Sequence, residues 1–227
     1  MFDIISLGSA TRDVFLGADD FKSVKSDQFP TGEAMCFGLG SKIEIKKIIT
    51  TTGGGGTNAA TTFARQGLRT ACIGVVGDDV NGHAVVDELK QEGIDTQYFL
   101  FHKDDHTAYS TILIHAGGER TILSYKGEGQ HFDAGQVPFD KLQTKWLFLD
   151  SLGGHYDLLE KSVRWAAANK VKLATNPGSK ELIHGWEKWQ PLLKNFSIVS
   201  MNQEEAAGLT GIDYKNEARI FQFMDNA

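Results

Sequence analysis

Short runs that are apolar almost throughout alternate along this chain with longer stretches in which apolar residues recur every three to four positions. The first kind reads as buried strand and the second as amphipathic helix. FDIISLG (2–8), RTACIGVVG (69–77), KWLFLDSL (145–152), KVKLAT (170–175) and SIVSMN (197–202) are predicted strands. TNAATTFARQGL (57–68), the stretch from Asp79 through Glu92, YDLLEKSVRWAAAN (156–169) and QEEAAGLTG (203–211) are predicted helices. Gly67 and Gly211 stand where helices stop, and Ala84, Val85, Val86 and Leu89 form the inner face of the second helix. Strand–helix alternation with near-continuous apolar strands predicts a parallel sheet covered on both faces. Two segments break the rhythm. Residues 14–50 are irregular before KIEIKKIIT (42–50) alternates like a strand, and residues 96–125 read as three strands, TQYFLF, TAYSTILIH and ERTILSY. These segments are expected to form a small separate sheet, such as a lid.

Composition narrows the class. With 227 residues and 41% hydrophobic content, one domain with an appendage is expected. The net charge of -6, with no block of Lys or Arg, argues against nucleic acid or an anionic membrane surface as partner. It leaves open a locally basic site for an anionic substrate. No apolar run approaches the ~20 residues of a spanning helix. The N-terminus, MFDIISLGSA, begins like a strand rather than a basic-then-apolar leader. The expectation is a soluble, cytoplasmic protein. Cys36 and Cys72 are too few for a disulfide framework, and Cys72, inside ACIGVV, reads as a buried thiol. His102, His106 and His115 lack the compact spacing of a metal site and read as surface residues, while Trp165, Trp186 and Trp189 read as helix packing.

The most unusual stretch is TTGGGGTNAA (51–60). A glycine run is entropically costly unless the backbone bends sharply or approaches something closely. Three readings stand beside each other. It is a tight strand-to-helix turn with no ligand; or a dinucleotide loop at a helix N-terminus, although Asn58 stands where the third glycine of that pattern belongs; or a polyol-binding loop, in which bare amides approach hydroxyls and an Asn both donates and accepts.

The wider pattern, Gly-Gly-x-x-Asn-x-Ala (54–60) followed by Gly67 and Gly77, resembles the first signature of the ribokinase / PfkB carbohydrate-kinase family. LGSATRD (7–13), VGDDVNGHAVVDELKQEGID (76–95), TAYSTILIHAGGERTIL (107–123), LDSLGG (149–154) and NQEEAAGLTG (202–211) resemble the same family in the same order. The likeness runs from residue 2 to about 212. It implies a Rossmann-like α/β fold, a mostly parallel sheet between helices with a small β-sheet lid, as one domain over 1–227 incomplete at its C-terminus, with lid segments at about 14–50 and 96–125. It implies transfer of the terminal phosphoryl group of ATP to an alcohol group of a sugar, nucleoside or related small molecule, with Mg²⁺ as cofactor. Asp13, Asn58, Asp150 and backbone groups of Gly54, Gly55 and Gly56 are then substrate ligands. Asn202 and Glu205 organise the nucleotide phosphates, Glu205 reaching Mg²⁺ through water, and Asn176 faces those phosphates. A homodimer formed through the lid is the expected assembly.

Each assignment has a plainer counterpart. Asp13 doubles as a turn or cap residue, Asp150 as a cap and Asn176 as a turn-former. Asn202 and Glu205 together match a capping box. Arg120, in a lid turn, reads as a solvated charge or a contact for a phosphorylated or acidic substrate. The family's second signature, Asp-Thr-x-Gly-Ala-Gly-Asp, supplies the catalytic Asp and an anion hole, and no such stretch occurs here. The expectation is therefore an N-terminal portion of a kinase that is a very poor catalyst by itself, since losing a general base alone costs roughly 10²–10⁴-fold. The alternatives are a non-catalytic sugar- or nucleoside-binding module and a dinucleotide-binding oxidoreductase domain. An exposed sheet edge and bare helix faces predict dimerisation or poor solubility.

Overall fold

The computed structural model describes residues 1–29, 31–115, 117–127 and 132–226. Its strands, in chain order, are β1 (Phe2–Leu7), β2 (Thr11–Gly17), β3 (Ser23–Lys25), β4 (Glu33–Met35), β5 (Lys47–Gly53), β6 (Thr70–Ile73), β7 (Val75–Gly77), β8 (Leu100–His102), β9 (Tyr109–Ile114), β10 (Arg120–Tyr125), β11 (Thr144–Leu149), β12 (Lys172–Thr175) and β13 (Phe196–Val199). Its helices are α1 (Gly55–Arg65), α2 (Val80–Gln91), α3 (Tyr156–Asn169), α4 (Ser179–Leu182), α5 (Trp186–Leu193), α6 (Gln203–Thr210) and α7 (Glu217–Asp225).

Five strands form the central sheet in the order β13-β12-β11-β1-β6, all parallel. Its strands are apolar on both faces because both faces carry helices. On one face Ile5, Leu7, Ile73, Leu147, Leu149 and Leu173 join Leu158, Leu159 and Val163 of α3 and Trp189 and Leu192 of α5 in the main core. On the other lies α1. Its Phe63 meets Phe148 edge-on, with ring centroids 5.6 Å apart, and the Gly56 carbonyl accepts from Ser6 Oγ at 2.7 Å. Cys72 is buried on this side with Ala60, Val85, Val86 and Leu89, and burial pushes its thiol pKa strongly upward. Trp165, Trp186 and Trp189 all lie on helices, and the Trp186 ring packs tilted against Phe223 of α7, with centroids 4.6 Å apart.

The second sheet has the order β10-β9-β2-β5. Its β2–β9 pairing is parallel and the other two are antiparallel. Register sets rows across it: Thr51–Asp13–Ser110–Ser124 in one row and Thr52–Arg12–Tyr109–Tyr125 in the next. Side chains of adjacent rows leave opposite faces.

Several boundaries differ from the sequence expectation. KIEIKKIIT is strand only from Lys47 onward, and the strand runs on to Gly53. Residues 42–46 are exposed coil apart from the half-buried Ile43, so their alternation had little apolar surface to bury. TQYFLF contributes no strand to the second sheet. Only Leu100–His102 is extended, and it pairs in parallel with β7. RTACIGVVG is two strands rather than one, broken at Gly74, where a Cβ would lie 2.6 Å from the Phe99 ring. The early part of 14–50 is not all irregular, since β2 starts at Thr11 and Asp13 sits within it rather than in a loop.

Candidate functional site

The central sheet reverses its winding beside β1: the chain goes from β1 to β6 on one side and then crosses to β11 on the other. Such a switch point opens a crevice beyond the carboxyl ends of the two strands. Leu7 and Leu149 end β1 and β11 as register partners, and the Asp150 N–H donates to the Leu7 carbonyl at 3.0 Å. Beyond them lie Gly8–Ala10, Asp150 and the start of α1.

Ser9 ties these pieces together. Its hydroxyl donates to Asp150 Oδ2 at 3.0 Å and accepts the Gly55 N–H at 2.9 Å. Its carbonyl accepts the N–H groups of Gly56 and Thr57 at 3.1 and 3.3 Å. The first three amides of α1 are thus satisfied internally, and none is left for a pyrophosphate. The dinucleotide reading of the glycine run loses its anion site here.

Each glycine of the run has a distinct reason. A Cβ on Gly53 would lie 2.0 Å from Asp13 Oδ2, and one on Gly55 would lie 2.1 Å from Asp150 Oδ1. Gly54 has φ +100, a region that L side chains rarely adopt, and a Cβ there would press on the Ser9 carbonyl at 2.5 Å. A Cβ on Gly56 would meet the Gly8 backbone at 2.6 Å. Two of the four therefore let backbone segments touch, and two make room for carboxylates.

Asp13 is half-buried and accepts from Thr11 Oγ1 at 2.9 Å. Asp150 is only 9% exposed. Burial raises its pKa above the ordinary carboxylate range, against the hydrogen bond from Ser9. Asn58 is exposed on α1, one turn on from Gly55. The structure thus brings Asp13, Gly54, Gly55, Gly56 and Asp150 to one place, with Asn58 on the adjoining helix.

The other candidates lie further along the same carboxyl edge, beyond β12 and β13, two to three strand steps or roughly 10–14 Å from β1. Asn176 follows β12. Its N–H donates to the Leu149 carbonyl at 3.0 Å and its Nδ2 to the Ser200 carbonyl at 2.8 Å, so it joins neighbouring strand ends. Asn202 is the N-cap of α6 and forms a full capping box with Glu205: Asn202 Oδ1 accepts the Glu205 N–H and Glu205 Oε2 accepts the Asn202 N–H, both at 2.8 Å. Asn202 lines a cavity of about 850 Å³ with Leu193, Val199, Met201 and Ile220, and both residues line a second of about 550 Å³ with Ser179 and Leu182. Neither cavity includes Asp13 or Asp150. Arg120 is exposed at the start of β10.

Among the described residues no group of three or more His, Cys, Asp or Glu is placed to hold a metal ion. Glu205 is half-buried, and one of its carboxylate oxygens is not used in the capping box. Among the described residues no helix is long and apolar enough to cross a membrane.

Sequence reasoning missed three groups. Ser9 carries no signal beyond a small polar residue after a strand. Glu181, 1% exposed, accepts the N–H groups of Leu152, Gly154 and Gly178 at 2.9, 2.5 and 2.9 Å, and so shapes the loop after Asp150. Its spacing after Gly178 is a capping pattern that could have been read. Glu88 bonds Arg12 and Thr52 across 76 and 36 residues, which no local pattern reveals.

The model of the pfkB family of carbohydrate kinases matches residues 33–225. The ribokinase of Haemophilus influenzae is 28% identical over 162 residues, covering 70% of this chain and 51% of the relative. The probable fructokinase-4 of Arabidopsis thaliana is 33% identical over 181 residues, covering 69% of this chain and 52% of the relative. This chain therefore spans about half the length of these relatives. Among solved structures, Giardia lamblia ribokinase aligns with a TM-score of 0.74 at 20% identity, covering 99% of this chain and 65% of that one. Arabidopsis thaliana ribokinase, complexed with ribose and ATP, aligns with a TM-score of 0.70 at 15% identity, covering 99% and 69%. These structures share its fold, a mostly parallel α/β sheet among helices, and with the family model matching most of its length, the chain belongs to the pfkB family of carbohydrate kinases.

Proposed function

We propose that this chain carries the substrate half of an ATP-dependent phosphotransferase acting on an alcohol group of a sugar, nucleoside or related small polyol. The observation that carries the reading is the convergence of Asp13 and Asp150 on the glycine run, which has no side chains where the two carboxylates lie. Carboxylates and an amide side chain suit hydroxyls, which both donate and accept. Asp13, Asp150 and Asn58, with the backbone of Gly54, are the proposed substrate contacts, whereas Gly55 and Gly56, whose amides Ser9 already takes, contribute by leaving room rather than by donating.

On the nucleotide side, Asn176, Asn202 and Glu205 are the proposed contacts for ATP and its Mg²⁺, with Glu205 acting through water. Bound Mg²⁺ supplies neutralisation of phosphate charge. The chain's own part is to orient the alcohol and to hold both ligands on one sheet edge. No residue is assigned as the base that takes the alcohol proton. The second sheet, which carries Asp13, serves as a lid and as the contact of a homodimer. Ile48, Ile122, Leu123 and Tyr125 on it are each at least half exposed, which supports that role. A monodisperse monomer in sedimentation overturns the dimer.

The test is calorimetric titration with D-ribose, D-fructose and adenosine, followed by ³¹P detection of a phosphorylated product with ATP and Mg²⁺. Binding of one of these that is lost in Asp13→Asn supports the substrate site. Binding without transfer marks this stretch as a binding half-site, and no binding at all removes the reading.

A further inference from the structure

The two residues that shape the substrate side, Asp13 and Gly53, each follow a residue held from the opposite face of the second sheet. Arg12 and Thr52 are direct register partners on β2 and β5. Both meet one carboxylate on α2. Glu88 Oε1 accepts from Arg12 Nη1 at 2.5 Å, while Oε2 accepts from the Thr52 N–H and from Thr52 Oγ1, each at 2.7 Å. The Arg12 side chain is 12% exposed. Burial alone would raise the pKa of Glu88, but the bonds from Arg12 and Thr52 hold it below the ordinary value, so the charge stays on.

Helix α2 holds the remaining pieces as well. Asp79, its N-cap, accepts from Thr107 Oγ1 at 2.7 Å and from the Thr107 N–H at 3.0 Å, two residues before β9. Glu92, just past its end, takes two bonds from Arg65 at the end of α1, at 2.8 and 2.5 Å. One helix thus grips three strands of the second sheet at their roots and the helix that begins with the glycine run. Because side chains alternate along a strand, holding Arg12 and Thr52 on one face leaves Asp13 and Gly53 facing the other.

We propose that Glu88 is a positioning residue for the substrate site: by gripping the Arg12–Thr52 pair it fixes the root of the second sheet, and with it the Asp13 carboxylate and the glycine run, against the central sheet. This rests on the polyol reading of that site. Charge-assisted bonds across a strand pair make β2 and β5 move as one piece. Without them Asp13 remains present but loses its place over Gly53.

The experiment compares the full chain with Glu88→Gln, Glu88→Ala and the control Asp87→Asn, whose carboxylate is exposed and pairs with Lys90. Backbone amide exchange and calorimetric affinity for D-ribose and D-fructose are measured on each. The expected result for Glu88→Gln is exchange about tenfold faster over 11–17 and 47–53, unchanged exchange in β6 and β11, and affinity weaker by about tenfold, in line with losing hydrogen bonds to a charged group. Asp87→Asn leaves both unchanged. Parental affinity in Glu88→Gln overturns the proposal, whatever the exchange. Equal loss of protection in the central sheet also overturns it, because Glu88 is then a residue of global stability. If the parent binds neither sugar, the polyol reading falls, and exchange confined to 11–17 and 47–53 or not decides whether Glu88 anchors the sheet.

Discussion

Gly55 and Asp150 occupy the same small space, and only one of them has a side chain to put there. A Cβ on Gly55 would lie 2.1 Å from Asp150 Oδ1 and 2.3 Å from its carboxyl carbon. Gly55→Ala therefore either expels the Asp150 carboxylate or shifts the start of α1. The expected cost is about 1–3 kcal/mol, as for other overpacked sites, together with loss of polyol binding. Urea denaturation alongside titration with D-ribose and D-fructose checks both. Unchanged stability would mean that the space is not shared.

Asp150 itself is held at a cost. Its pKa is raised by burial, against the hydrogen bond from Ser9. A carboxyl whose folded pKa is raised contributes stability below its unfolded value and loses it as pH rises through the folded value. Ionising Asp150 therefore weakens the fold as pH rises. Asp150→Asn, which still accepts from Ser9, is expected to raise Tm at neutral pH, each kcal/mol gained being worth about 2–4 °C. The gain should vanish in acid, while polyol binding is lost throughout. Scanning calorimetry at several pH values tests the sign.

Glu88 and Asp79 run the other way. Burial opposes their ionisation, but the bonds from Arg12 and Thr52 to one, and from Thr107 and Gly82 to the other, lower both pKa values below the ordinary 4.5 and 3.8. Their contribution is complete above those ordinary values and is lost as pH falls through the lowered ones. Amide protection at 11–17 and 47–53 is expected to hold down to about pH 4 and to fail below it. Failure already near neutral pH would show that these carboxylates do not hold the strands.

Asn202 invites a separation of two roles. Asn202→Ala removes the cap of α6 and should cost about 1 kcal/mol, whereas Asn202→Ser keeps a capping oxygen and should restore most of it. If Asn202 also meets nucleotide phosphates, the Ser variant regains stability but not ATP affinity. Thermal melts and ATP titration on the two variants divide the roles, and equal recovery of both leaves capping alone.

Glu181→Ala is expected to be the most damaging of these changes. It strands three backbone N–H donors at a fully buried position. Leaving a buried donor without a partner costs about 1–3 kcal/mol each, readable in the same denaturation series.

Strands β1 and β6 of the central sheet were legible because they are largely buried on both faces and their apolar runs need no context. Helix α3 matches its expected span of 156–169 because its periodicity is long and its burial one-sided. The edges of the second sheet were less legible. Ile48 and Ile122 are apolar yet exposed, so alternation there does not report burial. Helices α4, α5 and α7 gave no expectation, since they are short and α5 contains Pro191. Asp13, Asp150 and the glycines were legible as candidates, but their shared cause was not. Which carboxylate each missing Cβ makes room for depends on contacts between Gly53 and Asp13, 40 residues apart, and between Gly55 and Asp150, 95 residues apart.

Ser9, by occupying every amide at the start of α1, turns what is ordinarily an attractive end of a helix into an indifferent one. A visitor to that crevice meets the carboxylates of Asp13 and Asp150 and no free backbone donor from the first turn. On the polyol reading proposed above, a neutral hydroxyl can exchange bonds with such walls, whereas a phosphate monoester brings negative charge toward two carboxylates. On that reading the pair acts as a charge filter, favouring a small molecule that has not yet been phosphorylated.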